Sequence, residues 1–118
     1  MSVRIDDIKR IAKELKWSVN DEGSIINFTK SGVLNIGIGF TIEIELYGVY
    51  GEDEDYISMF IINRLHETLI NFDNANNIYV YTDYVDCEPE IELVNEDRHS
   101  IKKSLEILCK KLSFLQWC

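Results

Sequence analysis

The chain has 118 residues, 46% hydrophobic, 28% charged and 11% aromatic, a size that fits one domain with one ordinary core. Mean hydropathy is −0.12; no apolar run approaches the roughly 18 residues of a membrane span, and the first residues lack the apolar stretch of a signal peptide. Twenty-one acidic against twelve basic side chains leave a net charge of −9, which disfavours direct nucleic-acid binding, because neutralising phosphate takes Lys and Arg.

In chain order, residues 4–16 predict a helix: Ile5, Ile8, Ala12 and Leu15 recur at helical spacing, with Ser2 able to cap the start. Asp6 and Asp7 near its start and Lys13 and Lys16 near its end suit the helix dipole. Trp17 and Val19 alternate with polar residues before a turn at residues 20–23. Ser24–Lys30 predicts a short strand that Ser31 and Gly32 turn back. The clearest pattern follows: Leu34, Ile36, Ile38, Phe40, Ile42, Ile44 and Leu46 occupy seven consecutive even positions. The opposite phase reads Asn35, Gly37, Gly39, Thr41, Glu43 and Glu45, so this is a long strand with one buried and one open face. The two glycines permit a bend or a close backbone approach.

Residues 48–55 predict a loop ending in Glu52, Asp53, Glu54 and Asp55. These acids are contiguous, unlike the alternate-position ligands of a calcium loop, and they suit the positive end of a following helix. That helix spans Tyr56–Asp73, with a stripe of Ile57, Ile61, Leu65 and Leu69 that Met59, Phe60, Ile62 and Ile70 widen. A turn at residues 74–77 leads into a β-prone strand, Ile78–Cys87, and Glu90–Val94 predicts a further short strand after Pro89. Asn95 or Asp97 caps a last helix, which carries Ile101, Leu105, Leu108, Leu112 and Leu115 as a core-facing seam too short for a coiled coil. The order α-β-β-β-α-β-β-α defines a single α+β domain over residues 1–118, with a mainly antiparallel sheet. Its core should contain Ile36, Ile38, Phe40, Ile42, Ile44, Leu65, Leu69, Leu105, Leu108 and Leu112.

The residues give little support to catalysis. His66 and His99 fall on different helices, and Cys109 lies beside the apolar seam. The three cysteines show no metal-binding spacing; their odd number points to a reducing, cytoplasmic setting. Glu43 with Glu45, and Glu90 with Glu92, share strand faces, but a glycosidase pair needs a deep cleft for which so short a chain has little room. The expectation is a non-enzyme without metal or cofactor.

Charge distribution is more informative than its sum. Residues 1–16 carry five bases and three acids, and residues 98–118 five bases and one acid. Residues 17–97 carry two bases, Lys30 and Arg64, against seventeen acids, a net of −15. Two clusters are candidate contacts for a basic protein partner. One is the loop Glu52, Asp53, Glu54 and Asp55. The other is a hairpin with Tyr79, Tyr81, Asp83, Tyr84, Asp86, Glu88 and Glu90, where tyrosines offer contact area and carboxylates pair with Lys and Arg.

The helix Ile5–Leu15, the alternating strand Leu34–Leu46, and the helices Ile57–Phe72 and Ile101–Leu115 together resemble the type III secretion chaperone fold and the related YbjN-like domains. That resemblance implies a non-catalytic, protein-binding domain that takes up an effector segment, as a homodimer in the chaperones. Immunity proteins and other inhibitors of toxic nucleases share the composition without sharing a fold. A nuclease is basic because it binds phosphate, so its inhibitor gains association rate and affinity from carboxylates. The acid-rich middle favours the inhibitor reading over the chaperone-like one.

Overall fold

The computed structural model describes residues 4–32, 38–49, 51–82 and 95–117. Helix α1 (Ile5–Glu14) buries Ile8 and Ala12 of the predicted stripe and, beside them, Ile11, which that stripe did not include; Ile5 and Leu15 are only half-buried against the core. Ser2 lies outside the described residues. Arg4 holds the capping position without a side-chain bond, and the Ile5 N–H donates instead to Oε1 of Glu54 at 3.2 Å. The helix stops at Glu14 rather than Lys16. Lys16 takes a left-handed φ of +69°, the Lys16 N–H donates to the Lys13 carbonyl at 3.0 Å, and the Trp17 N–H donates to the Ala12 carbonyl at 2.8 Å. This is a Schellman ending, and it turns the chain so that Trp17 enters the core.

Strands β1 (Ser18–Asp21), β2 (Ile25–Lys30), β3 (Ile38–Glu45) and β4 (Ile78–Thr82) form one antiparallel sheet in the order β1-β2-β3-β4. The β1–β2 turn closes on Gly23, at φ +86°, whose N–H donates to Oδ1 of Asp21 at 2.9 Å. In register, Ile26 faces Ile44, Phe28 faces Ile42, and Phe40 faces Val80. The even phase of β3 is therefore the core face: Phe40, Ile42, Ile44 and the following Leu46 are buried. Leu34, Ile36 and Gly37 lie outside the described residues, as do residues 83–87 of the predicted fourth strand and the predicted strand Glu90–Val94.

Helix α2 (Glu54–Ile70) begins two residues earlier than the sequence predicts, which moves Glu54 and Asp55 from the loop into its first turn. It ends at Ile70, and residues 72–74 form a single tight turn. Ile57, Ser58, Ile61, Ile62, Leu65 and Thr68 are buried, and α2 packs on α1, β3 and α3 (Asn95–Ser113), which explains its wide apolar face. Ile70 does not join the stripe. Along Ile62, His66 and Ile70 the helix passes from buried through half-buried to 79% exposed, so this flank leaves the core near its C-terminal end.

Helix α3 buries Ile101, Leu105, Leu108, Cys109 and Leu112, so its seam faces the domain core. Asn95 and Asp97 lie inside its first turn rather than before it, and Asp97 is buried. All three helices share one cluster with the even face of the sheet, leaving the odd face uncovered by any described helix. The chain is thus an α+β protein of two layers. Leu69 is packed against the core but only half-buried.

Candidate protein-binding surface

The two predicted acidic clusters are separate. The loop cluster belongs to the helical layer, between the starts of α1 and α2. Glu52, Asp53, Glu54 and Asp55 are all exposed, but Glu54 is engaged by the first N–H of α1. With Asp55 it also lies at the positive end of α2, where carboxylates are stabilising. Tyr47 and Tyr56, 58% and 56% exposed, flank these acids. Periodicity could not single them out, because nothing in a helix or turn pattern distinguishes an exposed aromatic ring from a half-buried one.

Tyr79 and Tyr81 lie on the other layer, the open face of the sheet. Pairing of β4 with β3 sets Tyr79 opposite Thr41 and Tyr81 opposite Gly39. One row across the sheet runs Ser18, Thr29, Thr41, Tyr79, with the two threonine hydroxyls 3.0 Å apart. The next runs Asn20, Asn27, Glu43, with Asn77 closing it: the Glu43 N–H donates to the Asn77 carbonyl at 2.9 Å, and Asn77 Nδ2 donates to the Glu43 carbonyl at 3.1 Å. Asn77 Nδ2 also reaches Oγ1 of Thr68 at 3.0 Å, which pins the start of β4 to α2.

Within this face Tyr79 stands beside two carboxylates. Its phenol is pushed above its ordinary value of 10.0 by desolvation, by the charge and hydrogen bond of Glu43, and by the charge of Glu45. The ring is still 45% exposed. Tyr81 is more enclosed, its hydroxyl 2.9 Å from Oγ of Ser31. Glu43 and Glu45 were legible in the sequence as a pair on one strand face, but not as neighbours of Tyr79; that depends on a register between strands more than thirty residues apart. Asp83, Tyr84, Asp86, Glu88 and Glu90 lie outside the described residues. The chain leaves β4 at Thr82, opposite Ile38, while the loop to α2 leaves the other end of β3.

The cations of the middle segment are already committed. Lys30 Nζ donates to the Leu15 carbonyl at 2.6 Å and lies 5.4 Å from the centre of the Trp17 ring, with its pKa lowered by desolvation. Trp17 in turn packs edge-on against Phe40, ring centres 5.3 Å apart. Lys30 therefore closes the end of α1 and covers an aromatic pair. Arg64 is held by Glu67 at 2.8 Å, and Asp21 is met by Lys9 at 3.7 Å. No ion pair among the described residues involves Glu43 or Glu45.

His66 and Cys109, two of the residues weighed for catalysis, lie where α2 and α3 pack. Oγ of Ser113 donates to the Cys109 carbonyl at 2.8 Å, so its lone pair receives Nε2–H of His66 at 3.1 Å, tying α2 to α3. Burial, with the nearby Glu106 charge, pushes the Cys109 thiol up to about 12, far from a nucleophile. His99 is exposed on α3 beside Lys102, Lys103 and Glu106. Among the described residues no group of three or more His, Cys, Asp or Glu side chains is placed to hold a metal ion, and no helix is long and apolar enough to cross a membrane. Comparison with protein-family models, curated proteins and solved structures gave no match.

Proposed function

We propose that this chain is a non-catalytic binding domain whose acidic, tyrosine-bearing sheet face docks a basic protein, in the manner of an immunity protein that neutralises a nuclease-type toxin or effector. The observation that carries this reading is Tyr79, half exposed beside Glu43 and Glu45, on a sheet face that no described helix covers. An aromatic ring amid carboxylates that form no ion pair among the described residues suits arginine and lysine side chains: the ring gives area and cation–π attraction, the carboxylates give charge. A protein that binds phosphate backbones presents such side chains at its active surface, and covering them blocks its substrate. The chaperone-like alternative relies on an apolar groove along residues 56–62. Ile57, Ile61 and Ile62 are buried there, which weighs for the acidic face.

The test is a titration against the candidate basic partner at low and high salt. Glu43→Gln with Glu45→Gln should slow association and reduce its salt dependence, and Tyr79→Ala should weaken affinity by about tenfold or more. Affinity indifferent to salt and to all three substitutions would end this reading.

A further inference from the structure

Within the helical layer, α3 carries a concentration of the opposite charge. Along α3, Arg98, Lys102, Lys103, Lys110 and Lys111 are all exposed, with Glu106 the one acid beside Lys102 and Lys103, and none of the five enters an ion pair among the described residues. Lys110 and Lys111 sit in the last turn, where cations suit the helix dipole. That explanation does not extend to the others: Arg98 lies in the first turn, where a cation is unfavourable, and Lys102 and Lys103 lie mid-helix. Residues 103, 107, 110 and 114, spaced 4, 3 and 4 apart, follow one stripe, and Lys111 borders it. Along it Ile107 is 44% exposed, and Phe114, just beyond the helix end, 58%. The basic face thus has apolar side chains among lysines, as the acidic face has Tyr79 among glutamates, and the two faces lie on opposite layers.

We propose that the α3 face docks onto the sheet face of a second copy of this chain, Lys102 and Lys103 meeting Glu43 and Glu45. Charge complementarity selects this occupant, because the chain's own sheet face supplies a matching surface at equal concentration. The contact joins different patches, so it is head-to-tail. It goes beyond the foreign-partner reading and does not need it; where both hold, self-association and partner binding compete for the same carboxylates.

Sedimentation velocity of the protein alone, at low and high salt, tests this with two charge-reversed variants. The wild type should associate at low salt and dissociate as salt screens the faces. Glu43→Lys with Glu45→Lys, and separately Lys102→Glu with Lys103→Glu, should each weaken self-association by about tenfold or more. Mixing the two variants should restore it, because the intact α3 face of the first meets the intact sheet face of the second. The restored association also shows that both variants are folded. A wild type that stays monomeric at low salt, or associates equally well after either reversal, overturns the proposal. So does a mixture that fails to reassociate while both variants keep the wild-type circular dichroism. Partner binding, measured separately, can fail without affecting this result.

Discussion

The ring of Tyr81 lies over Gly39 across the β3–β4 pair, with its hydroxyl bonded to Ser31 beyond the end of β2. A Cβ at position 39 would stand 2.6 Å from Cζ and Oη of that ring and 3.0 Å from the Lys30 carbonyl. Here the strand glycine is required by what sits above it, and the tyrosine covers backbone that the missing side chain would leave bare.

Gly39→Ala should therefore destabilise the fold by about 1–2 kcal/mol, even though alanine is otherwise the better residue in a strand. The ring must move and give up its bond to Ser31. Urea denaturation of Gly39→Ala, Tyr81→Ala and the double variant is the check. The two effects should be clearly less than additive, because removing the ring removes the clash. Full additivity would mean the two residues do not interact.

Ser58 is fully buried on α2, and its hydroxyl has no hydrogen-bond partner among the described residues. An unsatisfied buried hydroxyl costs free energy, and serine is a poorer helix former than alanine. Ser58→Ala should raise stability by about 0.5–2 kcal/mol in equilibrium unfolding. A loss of stability would show that the hydroxyl has a partner, such as a trapped water.

Glu54 performs two structural tasks, receiving the Ile5 N–H and sitting in the first turn of α2. Glu54→Ala should cost about 0.5–1.5 kcal/mol, while Glu52→Gln, beyond both helices, should be neutral within about 0.5 kcal/mol. Thermal unfolding of the two variants separates the acid that builds the fold from one free to serve recognition. Equal effects would remove the distinction.

Tyr79 gives a pH signature. Its folded pKa lies above the ordinary 10.0, so the folded state holds the proton more tightly than the unfolded state. The associated stability is complete below about pH 10 and is lost as pH rises through the folded pKa. Lys30 has the opposite sign: its folded pKa lies below 10.5, so its penalty is relieved as pH rises through the same region. Spectrophotometric titration resolves the tyrosine alone. Tyr79→Phe should remove a late-ionising phenol, and Glu43→Gln should bring that phenol down towards 10. A phenol that ionises unchanged in Glu43→Gln would contradict the part assigned to Glu43 and leave desolvation as the cause.

The elements legible in the sequence are those governed by local periodicity. Phe40, Ile42, Ile44 and Leu46 of the even phase, Ile8 and Ala12 of the α1 stripe, and Ile101, Leu105, Leu108 and Leu112 of the α3 seam are buried as their spacing predicts, because a strand or helix that buries one face must repeat its apolar residues with its own period. Contacts set by tertiary placement were not legible. Glu54 meets Ile5 across 49 residues, and Lys30 meets Leu15 across 15. Nothing in either local pattern marks them. The candidate site follows the same division. Tyr79 and Tyr81 stood out by residue type, but their grouping with Glu43, and the separation of the loop acids onto the other layer, follow from strand register and from which side of the sheet the helices occupy.

Because the described helices cover only one side of the sheet, β3 carries two messages in alternate letters. Phe40, Ile42 and Ile44 encode folding, while Thr41, Glu43 and Glu45 lie outside the core. Under the proposed function, the second set can be rewritten for a different partner while the first is left untouched, which makes this one strand a natural place to retarget the molecule by design.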